Sequence, residues 1–151
     1  MSMFDPDSFL NNSAEGEMQT QYEPIPEDDY MAVIEAVKPK QVETKDGPRI
    51  VMDVTWAIDN PELAENLGRK NLTVRQSIWL DTTETGTLDA GPNKNVQLGR
   101  LREAVGQNGK GKWKPADLIG AGPCLIRVVN NPDKNDPSRI YENVTRVTQP
   151  E

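Results

Sequence analysis

The chain has no histidine and a single cysteine among its 151 residues. Without histidine, Ser-His-Asp and Cys-His nucleophilic devices are excluded, and most zinc sites go with them. Cys124 alone excludes an internal disulfide framework and suits a reducing compartment. No run approaches the roughly 18 apolar residues of a membrane-crossing helix, and Met1–Leu10 lacks the basic start and apolar stretch of a secretory signal. A soluble intracellular protein with no membrane contact is therefore expected. A carboxylate-only Mg²⁺ site survives these exclusions, but Asp53, Asp81 and Asp89 show no metal-site spacing, so no metal, no cofactor and no enzymatic activity is expected.

Another absence is local. Residues 1–37 hold no Lys or Arg but nine acids, from Asp5 to Glu35, so this stretch carries −9 of the net −7. All seventeen basic residues lie behind it against fifteen acids, which leaves the rest of the chain at +2. Within that body, Lys94, Arg100, Arg102, Lys110, Lys112 and Lys114 face Glu103 alone. A mildly basic domain behind an acidic arm can bind a polyanion despite a pI of 4.7.

Residues 1–27 read as an acidic, polar leader with too little apolar surface to offset its ordering entropy, hence disordered. Its one apolar island is Phe4, Phe9 and Leu10, where Asp5 or Asp7 can cap a short helical turn. The island either packs back on its own domain or serves as a docking motif for a partner protein. The expected folded domain is 28–151. Tyr30–Val37 reads as a strand that Pro39 ends or bends, and Thr44-Lys45-Asp46-Gly47 as a hairpin turn. Ile50, Met52, Val54, Trp56 and Ile58 alternate with Arg49, Asp53 and Thr55, the period of a half-buried strand. Pro61–Leu67 reads as a short helix closed by Gly68. A third strand, Leu72–Leu80, turns Thr73, Arg75, Ser77 and Trp79 outward. A mobile segment, 81–95, leads to a helix from Val96 to Val105 capped by Asn95, then a Gly- and Lys-rich loop around Trp113. Strands Cys124–Val129 and Tyr141–Val147 flank a turn-rich stretch.

Three strands, a helix and two strands is the order of the mainly β OB-fold, a five-stranded Greek-key barrel with one helix between strands 3 and 4. A five-stranded sheet with one crossover helix gives a similar string. Single-stranded nucleic acid binding needs cations along the phosphates and flat side chains for the bases. Trp79 on the polar face of its strand suits stacking, or else covers an open barrel end. Trp113 sits between Lys112 and Lys114, with Lys110 nearby; it lines a nucleic-acid groove or anchors its loop, whereas Trp56 belongs to the core. In an OB barrel Lys45, Arg49, Arg75, Lys134 and Arg139, with Tyr141, converge on one groove.

Several stretches carry a family resemblance: Tyr30-Met31-Ala32-Val33-Ile34, Lys45-Asp46-Gly47, Val51-Met52-Asp53-Val54-Thr55-Trp56 and Gly68-Arg69. The run from Asn95 to Gly106, Leu118-Ile119-Gly120 and the opening Phe4-Asp5-Pro6-Asp7-Ser8-Phe9-Leu10 complete the set. Together they resemble bacteriophage OB-fold single-stranded-DNA-binding proteins. The resemblance implies sequence-independent binding of single-stranded DNA in phage DNA replication or recombination, in the host cytoplasm, with phage or host replication and recombination proteins as partners of the arm. Many such proteins carry an acidic tail behind the barrel, whereas here the acidic segment lies in front and is a candidate competitor for the DNA groove. The rival expectation is a non-enzymatic phage structural or interaction protein, including an acidic DNA mimic, that uses the barrel as a scaffold.

Overall fold

A computed structural model describes residues 4–18, 20 and 23–149. The alternating segments become strands: β1 (Asp28–Thr44), β2 (Gly47–Ile58), β3 (Leu72–Leu80), β4 (Cys124–Pro132) and β5 (Ile140–Thr148). Three short helices accompany them, α1 (Pro6–Leu10), α2 (Pro61–Leu67) and α3 (Val96–Ala104), with a 3₁₀ turn at Pro115–Leu118. The sheet runs β1-β2-β3-β5-β4 and closes when β4 returns to β1. Neighbours are antiparallel except β3 and β5, which meet in parallel at Arg75 and Asn143. None of the described helices is long and apolar enough to cross a membrane.

The inward faces make one core. Every second residue of β3 from Leu72 to Leu80 is buried, and Trp56 lies fully buried at its centre. A buried indole N–H needs an acceptor. Gln76, itself on the buried face of β3, provides one, with Nε1 of Trp56 donating to its Oε1 at 2.9 Å. Two residues before β4, Gly122 adopts φ +116° where an added Cβ would lie 3.0 Å from the carbonyl oxygen of Ala32. A side chain there would separate β4 from β1.

Three expectations need correction. The first strand does not end near Pro39 but continues to Thr44, with Pro39 opposite Met52. Proline is tolerated because β4 pairs only with residues 28–32, so this part of β1 has a neighbour on one side only. Asn95 holds the N-cap position of α3, its carbonyl accepting from the Gly99 N–H at 2.8 Å, but it sits in the left-handed region at φ 50° and its side chain makes no cap bond. Instead its amide clips the preceding loop shut, accepting from the Asp81 N–H at 2.8 Å and donating to the carbonyls of Asp81 and Asp89 at 2.8 Å each.

The third correction concerns the leader, whose last residues belong to the body. Ile25 is fully buried in the core cluster, at the end of the closed sheet where the β4–β5 hairpin turns. Its N–H donates to the Glu142 carboxylate and its carbonyl accepts from Asn130 Nδ2 at 2.9 Å. Arg69 completes the clasp, 3.2 Å from Glu142 and donating to the Glu23 carbonyl at 2.7 Å. Residues 23–27 are thus a strap plugging one end of the sheet, and the exposed arm is shorter than expected. Emptying that plug should be costly. Ile25→Ala should destabilise the fold by about 2–5 kcal/mol, read as a lowered urea midpoint with unchanged slope; a midpoint matching the parent chain would remove the strap from the core.

Candidate nucleic-acid interface

The outward residues of β2 and β3 form one surface. Cross-strand pairing sets Val51 beside Trp79, Asp53 beside Ser77, Thr55 beside Arg75 and Ala57 beside Thr73. Trp79 is 44% exposed, whereas Val51 is only 4% exposed although it lies outside the core cluster. The indole thus stands half in solvent on the sheet's outer face, opposite a covered valine. The Arg49 guanidinium carbon stands 5.0 Å from the Trp79 ring centroid, and its far side reaches Asp81 at 3.5 Å. Asp53 is the only carboxylate among the outward residues of β2 and β3. Lys40 at 3.3 Å and the Ser77 hydroxyl at 2.9 Å both engage it.

Arg75 sits between the two ends of this surface, exposed, and forms no ion pair among the described residues. Through its bridge to Asn143 the surface passes to β5. Two residues on, Tyr141 presents a ring with the Arg139 guanidinium carbon 5.4 Å from its centroid. Because β3 and β5 are parallel, the step from Trp79 to Arg75 and the step from Asn143 to Tyr141 point the same way. The track from one aromatic to the other is on the order of 20 Å at about 3.3 Å per residue. Lys45, in the β1–β2 turn, and Lys134, in the β4–β5 turn, are exposed at opposite ends of it. The expected cations therefore lie along a track rather than meeting at one point.

The remaining expected residues lie elsewhere. Trp113 is half-buried against the core, its Nε1 donates to Gln107 Oε1 at 2.8 Å, and Arg102 covers its ring at 4.2 Å. That is the geometry of a loop anchor, and only its neighbours Lys110, Lys112 and Lys114 are exposed. They belong to the helix-and-loop cap that α3 places over the sheet end opposite Ile25. Phe4, Phe9 and Leu10 are 73%, 62% and 78% exposed, so they do not pack back on the body. Lys40, which holds Asp53, and Asn143, which carries the track onto β5, escaped the sequence reading. Both depend on pairing between strands far apart in the chain.

Among the described residues no group of three or more His, Cys, Asp or Glu side chains is arranged to hold a metal ion. Burial pushes the Cys124 thiol above its usual range. No family model matches the chain, and no curated protein is similar to it.

The Tyr141 end is held by a hydrogen bond from its hydroxyl to Asp133 at 2.9 Å. Donating to that carboxylate raises the phenol above its ordinary value of 10.0. The backbone N–H of Asn135, then the Tyr141 hydroxyl, lower Asp133 below 3.8. A raised phenol keeps the bond below pH 10 and loses it as pH climbs through the raised midpoint; a lowered carboxylate loses it only as pH falls below its own. The bond should therefore persist across the whole neutral range. An NMR titration of the Tyr141 ring should give a midpoint above that of a free phenol, and Asp133→Asn should bring it back down. An unshifted midpoint in the parent chain would show that the bond is not kept in solution.

Proposed function

We propose that the chain is a non-enzymatic, sequence-independent single-stranded-DNA-binding protein, its closed sheet an OB-fold Greek-key barrel that serves phage DNA replication or recombination. The observation that carries this reading is the pair of arginine–aromatic stacks, Arg49 on Trp79 and Arg139 on Tyr141, at the two ends of one exposed face with Arg75 between them. Each stack joins a flat surface for a base to a cation for the adjacent phosphate. The strand order β1-β2-β3-β5-β4 supports the OB assignment, because that fold binds oligonucleotides on its second and third strands and their flanking hairpin loops. A DNA mimic instead needs carboxylates arrayed on a folded face. On this face the one strand carboxylate, Asp53, is already engaged by Lys40 and Ser77.

Fluorescence anisotropy with a labelled single-stranded oligonucleotide tests the proposal. Affinity should fall linearly on a log–log plot against salt. Trp79→Ala should cost about 1–3 kcal/mol whatever the sequence, and Arg75→Ala should reduce the salt slope by about 1. Absent binding at low salt, or affinity indifferent to salt, would overturn it.

A further inference from the structure

Two features of opposite character stand at opposite ends of the body. The arm, residues 4–18, carries Asp5, Asp7, Glu15 and Glu17 and no cation. Asp5 caps α1 through the Asp7 N–H at 3.1 Å and the Ser8 hydroxyl at 2.9 Å, and the rings of Phe4 and Phe9 pair at 5.6 Å. The arm thus presents a preformed acidic and aromatic knob, which lowers the ordering cost of binding. It is rooted at Ile25, beside Glu142 and Asn130, where the β4–β5 hairpin turns.

At the other end of the same two strands lies the cap. Ala104 accepts from the Cys124 thiol, and Gln149 reaches the Glu103 carbonyl at 3.2 Å, which places α3 over the start of β4 and the end of β5. Lys94, Arg100, Lys110, Lys112 and Lys114 stand exposed on this cap, and none forms an ion pair among the described residues. A cleft of about 210 Å³ opens beside α3, with Leu88, Ala90 and Leu98 in its lining and Asp89, Lys94 and Arg102 as its charged groups. The buried Nε of Arg102 has no acceptor. A partly apolar cleft on a cap of net positive charge is the complement of an aromatic knob among carboxylates.

We infer that residues 4–10 of one copy dock into the α3 cleft of a second copy, head to tail. A chain of twelve residues, the number between Leu10 and the strap at Glu23, has an r.m.s. reach of roughly 17–21 Å. Its own cap lies farther off, about 23 Å of strand from Glu142 to Gln149 plus the roughly 10 Å thickness of a helix. The cap of a neighbour set end to end is closer. Such a contact joins unlike surfaces, so it links copies head to tail into rings or open chains rather than a symmetric dimer. It leaves the face of β2 and β3 uncovered. The inference stands apart from DNA binding and is tested without it.

The test uses two full-length variants altered only at exposed positions, with circular dichroism checking that each keeps the parent fold. One disables the arm (Asp7→Lys with Phe9→Ala), the other the cap (Lys94→Glu, Lys110→Glu and Lys112→Glu). In sedimentation velocity at low salt, the parent chain should gain mass with concentration, and each variant alone should remain a monomer. An equimolar mixture should form a heterodimer and stop there, because only one intact arm and one intact cap remain. Raising salt from about 0.05 to 0.5 M should weaken association at least tenfold, since the Debye length falls from more than 10 Å to less than 8 Å. A parent chain that stays monomeric, as it would if the arm served its own body, overturns the inference. So does a mixture that fails to associate, or a dimer that either variant forms by itself.

Discussion

The sheet closes because β1 serves two neighbours. Residues 28–32 pair with β4 and residues 32–44 with β2, so Ala32 faces Cys124 on one side and Ile58 on the other. A single strand can do this only by bending. The irregularity between Ile34 and Ala36 supplies the bend, since an extra residue in one strand increases local twist. The Ile34 N–H, free of β2 there, donates to Ala121 at 2.9 Å, and the Ile34 carbonyl accepts from Gly120 at 2.8 Å. The turn that leads into β4 is thereby tied to the bend. With the sheet closed, its inside is defined, and each residue of β2 and β3 belongs either to the core or to the outer face.

Closure also creates two open ends that must be covered, and the chain covers them differently. Ile25 plugs one, held by a half-buried ion pair and backbone hydrogen bonds. The helix α3 covers the other with Leu98, Leu101 and Ala104. The outer face between these ends is where carboxylates position cations. Asp81 holds the guanidinium that lies over Trp79, and Asp53 holds Lys40 beside Val51. Exposed pairs of this kind contribute little to stability. Their effect is to order long side chains that would otherwise move freely.

Periodicity made the strands readable. The two-residue alternation of Ile50–Ile58 and Leu72–Leu80 told inside from outside, so Trp56 in the core and Trp79 outside it were legible before any fold was known. So were α2, bounded by Pro61 and Gly68, and the Lys45–Gly47 turn. Pro39 and Asn95 misled for a shared reason. Local preference says proline stops a strand and an asparagine side chain caps a helix, but Pro39 lies where β1 lacks a second neighbour and Asn95 finds better partners in Asp81 and Asp89. Trp113 with its lysines fitted a nucleic-acid loop or a loop anchor, and the cover of its ring by a helix residue, Arg102, fits the anchor.

What this sequence determined by itself is set by neighbours along the chain: five strands, their inward faces, and the separation of an acidic arm from a basic body. Only the tertiary structure decided that Ile25 leaves the arm to seal the sheet. It alone set Arg75 against Asn143, turning scattered cations into a track, and placed the arm's root and the basic cap at opposite ends. Each of these depends on strand pairing between residues tens of positions apart, and pairing register is a property of the closed sheet as a whole.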